Sequence, residues 1–436
     1  MRIFINDNLY NDFNIVMREK SIFTAQETWG KNHINGKSTI DLSIFNTPLG
    51  SISLLFGPRQ IGKTASLKLF LTQVQDCETL IFTDCSIILN RADLYSHLKK
   101  LIQGKTTLVL DEVQSVQEWH LALRALYSEN RLSQCRVWCT GSEARYLLES
   151  GERLPGRKGD GITVFAKPWS FREYMDHFYS EEVENFKTLE LAHLTQKWLD
   201  DQTANWETPW AEYMKTGGFP KIIGEYRTTG HISDSTFQIY TDWILGSWSK
   251  LRTPERSLSA LANRLCETLN SRVSYDALRK GTDILSPNTV KTLLEIQEDH
   301  FSIKMLPRFN PSQKAYMPTK LKKIYPLDPF IAQVWNGIGK NIRRLFETHL
   351  TSLPLDECAF HAQFYRKFDP MDAGYLYSDA TQSEVDFYFK DCAFELKSNG
   401  NPTPKQKQLL NTSPQSFVVR KGQLPIMAYL VGEKRV

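Results

Sequence analysis

The 436-residue chain lacks any long apolar run: no window approaches the roughly 18 uninterrupted apolar residues that a membrane-crossing helix needs. Its first residues, Met1-Arg2-Ile3-Phe4-Ile5-Asn6-Asp7, lack the basic flank and apolar stretch of a signal peptide. Cysteine is sparse. The seven, Cys77, Cys85, Cys135, Cys139, Cys266, Cys358 and Cys392, form no close C-x-x-C pair, which argues against both a disulfide framework and a zinc ribbon. Cys135 and Cys139 straddle an apolar strand and read as core packing. A reduced, cytoplasmic protein without a membrane partner is expected. A large excess of charge is also missing, since 53 Lys/Arg against 49 Asp/Glu leave only +4. That excess is uneven. From residue 301 onward there are 19 basic against 12 acidic residues, compatible with a polyanionic partner for the C-terminal part. The length exceeds what one core supports, so two to four domains are expected.

What the chain does have is a phosphate-binding loop. Gly57-Pro58-Arg59-Gln60-Ile61-Gly62-Lys63-Thr64 follows the pattern G-x-x-x-x-G-K-T. Ser51 to Phe56 reads as a buried strand leading in, and Ala65 to Leu71 as a helix leading out. Backbone amides of such a loop and the helix N-terminus make a concave anion site, with Ala65 at its inner end. Lys63 can reach β- and γ-phosphates, and the Thr64 hydroxyl can ligate Mg²⁺.

About fifty residues later, Thr107 to Leu110 is an apolar strand ending in Asp111 and Glu112. A parallel strand delivers such acids at its C-terminal edge, where ligands of open α/β sheets sit. Asp111 is placed to hold Mg²⁺ through water, and Glu112 to orient or deprotonate an attacking water. An ATP site with Mg²⁺ is the reading.

The remaining chain divides as follows. Residues 1–45 form an N-terminal extension, of which Glu27-Thr28-Trp29 to about Ile44 would lead into the nucleotide domain and cover an adenine. Residues 46–175 form an α/β P-loop core with strands expected at 52–56, 78–83, 107–111, 136–140 and 162–165. In Arg136 to Ser142 a strand ends in small polar groups. Thr140 or Ser142 could sense a γ-phosphate or the lytic water, or simply cap a helix. Arg157, in Leu154-Pro155-Gly156-Arg157-Lys158, is either a finger for transferring phosphoryl charge, in its own or a neighbouring subunit, or a solvated loop arginine. Ser170 and Glu173 form a capping box. Residues 176–260 read as a helical lid or linker broken at Thr216-Gly217-Gly218-Phe219-Pro220. Residues 261–310 read as a winged helix whose third helix, capped by Ser286, offers Asn288, Thr289 and Lys291 to a groove or to a protein.

In residues 311–436, Ser383 to Phe389 and Cys392 to Lys397 are strand-like, joined by a tight turn at Lys390-Asp391. Alternation puts Glu395 and Lys397 on one face, where Asp386 can meet them. Asp, then Glu-x-Lys, with Glu357 from a preceding helix, is a compact metal site of the kind that cuts phosphodiesters in PD-(D/E)-x-K nucleases. A plain ion pair between Asp386 and Lys397 is the alternative. Lys405, Gln406 and Lys407 are placed to touch a phosphate backbone.

The motifs in order are G-P-R-Q-I-G-K-T at 57–64, L-D-E-V-Q at 110–114 with Trp119, T-G-S at 140–142, L-P-G-R at 154–157 and P-W-S-F-R-E at 168–173. They continue with G-G-F-P at 217–220, I-Y-P-L-D-P at 324–329, E-V-D-F at 384–387 and E-L-K at 395–397. Together they resemble the prokaryotic AAA+ ATPases with the AAA_14 plus DUF4143 arrangement. The resemblance implies a P-loop core with a lid, a winged helix and a restriction-endonuclease-like α/β terminal domain. It implies Lys63 and Thr64 as nucleotide and Mg²⁺ residues, Asp111 and Glu112 as the metal and hydrolytic pair, Ser142 as a sensor-like residue and Arg157 as a finger. Leu353 to Cys358 departs from the family's glycine-rich lead into an E-N-x-V helix, which weakens the part assigned to Glu357.

Three functions follow as expectations. One is an ATPase controlling a DNA- or protein-binding domain, within a homo-oligomer if Arg157 acts on a neighbour. A second is an ATP-regulated nuclease using Asp386, Glu395 and Lys397. The third is a nucleotide-dependent protein-interaction switch without catalysis.

Overall fold

Strands covered on both faces are buried along their whole length, and those at 51–56, 106–111 and 135–141 are of this kind. The computed structural model describes residues 2–5, 8–10, 40–143, 159–248, 253–340, 353–364 and 373–432. They divide into two compact units, one mainly up to Lys167 with Asp299–Phe301, the other from Pro168–Glu298 and from Ser302 onward.

In the first unit, β1 (Arg2–Ile5), β2 (Asn8–Tyr10), β3 (Ser51–Phe56), β4 (Thr79–Asp84), β5 (Thr106–Asp111), β6 (Cys135–Gly141) and β7 (Thr163–Phe165) form one sheet in the order β2-β1-β4-β5-β6-β3-β7. Every neighbouring pair is parallel except β1 with β2. The five strands read from the sequence are present within one residue at each end. β1 and β2 lay unassigned in the N-terminal extension, and they extend the sheet beyond β4. Residues 11–39, which include Glu27-Thr28-Trp29, lie outside the described residues. Because β6 lies between β3 and β5, the C-terminal ends of these three strands stand side by side. That edge is where an open parallel sheet presents its ligand-facing residues.

In the second unit, the helices Phe171–Phe178, Glu207–Thr216, Pro220–Thr229 and Asp234–Trp248 come first. The expected capping box is formed, with Ser170 and Glu173 bonding reciprocally at the start of Phe171–Phe178. Three helices follow, Glu255–Glu267, Tyr275–Arg279 and Pro287–Asp299, and then β8 (Ile303–Leu306), antiparallel to β11 (Lys323–Pro326). The remaining strands are β9 (Arg308–Asn310), β10 (Ala315–Met317), β12 (Ala373–Ser378), β13 (Ser383–Phe389), β14 (Cys392–Lys397) and β15 (Gln415–Arg420). They form a mixed sheet in the order β10-β9-β12-β13-β14-β15. The boundary expected at 310 therefore crosses paired structure, because β8 pairs with β11 and β9 joins the second sheet. Lys390 and Asp391 both have positive φ (48° and 61°), the conformation of a two-residue turn matched to strand twist.

Three of the motifs meet within this unit. The Asp328 side chain accepts the Gly218 amide at 2.8 Å and caps the helix Pro329–Gly339 through the Ile331 amide at 2.9 Å. The Trp169 amide donates to Gly218 O at 2.7 Å, and the Tyr213 hydroxyl to Trp169 O at 2.9 Å. A Cβ on residue 218 would lie 2.1 Å from Trp169 O, so only glycine fits. P-W-S-F-R-E, G-G-F-P and Y-P-L-D-P thus build one joint of the fold. No helix among the described residues is long and apolar enough to cross a membrane. All seven cysteines are free and buried.

Candidate functional site

The loop between β3 and the helix Lys63–Gln73 wraps closely against β7. A Cβ on Gly57 would fall 2.0 Å from Ala166 O, which fixes glycine at the mouth of the loop. Gln60 (φ 62°) and Gly62 (φ 93°) take left-handed conformations, the kind of backbone from which anion nests are built. Pro58 and Ile61 are buried, Arg59 and Gln60 are exposed, and Ala65 is half-buried in the first helical turn. Lys63 is 5% exposed, and its ammonium donates to Gly57 O and Pro58 O, each at 2.8 Å. Burial lowers the Lys63 pKa, while the charges of Glu112 and Asp111 pull it back up.

Thr64 Oγ1 donates to Asp111 Oδ2 at 2.8 Å, joining the helix start to the end of β5. The other oxygen of Asp111 accepts a hydrogen bond from Thr140 Oγ1, and Thr140 Oγ1 accepts from the Glu112 amide at 3.1 Å. Asp111 is buried, and this desolvation raises its pKa against the lowering bonds from Thr140 and Thr64. Glu112 has φ 52°, a left-handed conformation at the point where the chain leaves β5. Ser142 Oγ donates to Glu112 Oε2 at 3.1 Å, and Gln114 Nε2 bonds both Glu112 Oε2 and, at 3.1 Å, Ser142 Oγ.

The structure therefore gathers Lys63, Thr64, Asp111, Glu112 and Ser142 on one sheet edge. Thr140 bonds the Asp111 carboxylate and the Glu112 amide, and Ser142 bonds the Glu112 carboxylate. Gln114 was missed as a site residue, although its place two residues after an acid at a strand end was visible. Arg157 lies outside the described residues.

The second group is in the other unit. Lys323, on β11, has a side chain that is 0% exposed. Its Nζ lies 3.1 Å from Glu357 Oε2, 2.9 Å from Glu384 Oε1 and 3.0 Å from Asp386 Oδ1. Tyr325 OH donates to Glu357 Oε2 at 2.6 Å, and the Leu396 amide to Asp386 Oδ2 at 2.9 Å. Glu395 accepts from Lys397 at 2.7 Å and from Gln406 Nε2 at 2.5 Å, with its second oxygen 3.3 Å from the Asp386 amide. Desolvation pushes Glu357 and Glu395 up to about 7.

Glu357, Asp386, Glu395 and Lys397 come together, with Lys323 bonded to Glu357 and Asp386 and with Lys397 and Gln406 bonded to Glu395. The carboxylate oxygens are bonded by two lysines, a tyrosine, a glutamine and backbone amides. Among the described residues no group of three or more His, Cys, Asp or Glu is arranged to hold a metal ion. Gln406 likewise faces inward to Glu395 rather than outward to a phosphate backbone. Lys323, Tyr325 and Glu384 were not read as site residues. The signal was a lysine opening an apolar strand, since a buried lysine needs acidic partners. In the expected groove-facing helix, Lys291 lies 3.7 Å from Glu295, while Asn288 and Thr289 are exposed.

Residues 50–175 match the family model described as an AAA domain (AAA_14). This part of the chain is an AAA-type P-loop NTPase domain. Residues 207–341 match a domain of unknown function, DUF8612. That finding corrects the expected DUF4143 arrangement. Of the motifs that suggested it, G-G-F-P and Y-P-L-D-P form a packing joint, and such a joint reports a way of packing rather than one family. An uncharacterized protein of Methanocaldococcus jannaschii, MJ1637, is 22% identical over 314 residues, covering 66% of this chain and 63% of that protein. Among solved structures, the Aeropyrum pernix Orc1 protein in complex with DNA aligns at 14% identity and a TM-score of 0.33, covering 67% of this chain and 87% of that one. The Thermotoga maritima RuvB Holliday junction branch migration motor aligns at 12% identity and a TM-score of 0.32, covering 68% and 90%.

Proposed function

We propose that the AAA domain binds ATP with Mg²⁺ and hydrolyses it, and that the nucleotide state controls the second unit as a DNA- or protein-binding domain. The observation that carries this reading is the pairing of Thr64 with Asp111 beside a Glu112 held by Ser142 and Gln114. A threonine hydroxyl and a carboxylate meeting at a helix N-terminus are the hard oxygen donors that suit Mg²⁺. Bound there, the ion would neutralise charge between the β- and γ-phosphates. The amides of residues 60–64 cradle phosphate oxygens. Lys63 exchanges the carbonyls of Gly57 and Pro58 for the β- and γ-phosphates. Glu112 orients the attacking water and takes its proton, while Ser142 and Gln114 fix the carboxylate in the orientation this requires. Arg157 is the finger candidate in this scheme.

Three helices followed by the β8–β11 ribbon support a winged-helix reading of the middle of the second unit. The succession of helix Asp356–Phe364, antiparallel β12, β13 and β14, helix Pro404–Leu410 and parallel β15 supports a nuclease-like fold for its end. With the basic excess after residue 301, that part is read as a binding platform for a polyanion or a protein. Seven free, buried cysteines agree with a reducing, cytoplasmic compartment.

The experiment is nucleotide binding and phosphate release by the purified chain. Lys63→Ala should lose ATP binding, whereas Glu112→Gln should bind ATP and stop turning it over. Undiminished hydrolysis in Glu112→Gln would remove Glu112 from the assigned role.

A further inference from the structure

We propose that Lys323 is the resident cation of the C-terminal carboxylate cluster and fills the position a divalent ion would need, so that the nuclease-like end of the chain works without a metal. An ammonium has three N–H donors, and three carboxylates lie within 3.1 Å of this one. Burial alone would lower the Lys323 pKa, but Tyr325, Asp386, Glu357 and Glu384 outweigh it and hold the lysine charged.

The surrounding oxygens are committed in the same way. Glu357 also accepts from Tyr325, Asp386 from the Leu396 amide, and Glu395 from Lys397 and Gln406. Glu384 turns its second oxygen to Arg272 at 2.5 Å, and that guanidinium is stacked 3.5 Å over the Tyr377 ring. Four acids thus face three bases, Lys323, Lys397 and Arg272. A divalent ion takes about six oxygens and would have to displace both the ammonium and the donors already bound. The cavity beside Glu357 and Lys397, about 100 Å³, admits a few waters. The lysine is supplied by β11, outside the helix–strand succession that carries the acids. The counter-ion is therefore delivered by the β8–β11 ribbon, which ties that ribbon to the acidic strands.

The test is Mn²⁺ titration of the full, nucleotide-free chain, with free Mn²⁺ followed by electron paramagnetic resonance. Wild type and Asp386→Asn should bind Mn²⁺ identically, and Lys323→Ala should gain a site at least about tenfold tighter than any in wild type. That gained site should vanish in Lys323→Ala/Asp386→Asn. A wild-type Mn²⁺ site lost in Asp386→Asn would overturn the proposal, as would a folded Lys323→Ala that gains none. Should Lys323→Ala fail to fold, the wild-type and Asp386→Asn pair decides alone. Duplex DNA cleaved by wild type in Mn²⁺ and left intact by Asp386→Asn would also overturn it.

Discussion

Thr64 Oγ1 donates to Asp111 Oδ2 at 2.8 Å across 47 positions of sequence. This contact ties the phosphate loop to the acid strand, and it makes the two side chains one oxygen-donor pair. Asp111→Asn keeps the shape and removes the charge. Nucleotide affinity measured with Mg²⁺ should fall by about ten- to a hundredfold, as for other metal-site substitutions. Affinity in EDTA should change little. Equal losses in both conditions would show Asp111 to be structural only.

Glu112 is positioned by two neighbours, Ser142 and Gln114. Removing the carboxylate in Glu112→Gln should lower kcat by about 10²–10⁴-fold. Gln114→Ala leaves the base and frees its orientation, so kcat should fall by less, with KM for ATP nearly unchanged. Steady-state phosphate release separates the two, and a Gln114→Ala effect confined to KM would contradict the positioning role.

Asp328 caps a helix and holds the Gly218 amide from a fully buried position. Asp328→Ala should cost about 1–3 kcal/mol for the orphaned amide, with the lost cap adding to it. The shift in denaturant midpoint measures this. Desolvation pushes Asp328 up to about 7 from its ordinary 3.8. Between those values the folded chain holds a proton that the unfolded chain has lost. This carboxyl's contribution to stability therefore falls as pH rises from about 4 to about 7. Asp328→Asn should flatten that slope, and an unchanged slope would contradict the assignment.

The nucleotide edge was legible because its physics is local. Ser51–Phe56 is buried at every position and ends in the apolar run Leu54-Leu55-Phe56, and the loop and acids follow their strands directly. The partners of the C-terminal acids were not legible, because Lys323 meets Asp386 only through the packing of β11 against a different sheet, 63 positions on. The strands were legible while their counter-charges were not: alternation reveals which face Glu395 occupies but not which cation lies opposite. β1 escaped for a related reason. Four residues, Arg-Ile-Phe-Ile, join the sheet by pairing with β4 more than seventy positions away.

The most direct measurement is ATP turnover with Mg²⁺ by the purified full chain, run beside Glu112→Gln and paired with nucleotide binding for both proteins. Wild type should release phosphate, and Glu112→Gln should bind ATP as tightly while its release collapses. Wild type that binds no ATP, or Glu112→Gln that hydrolyses it at the wild-type rate, would contradict this expectation.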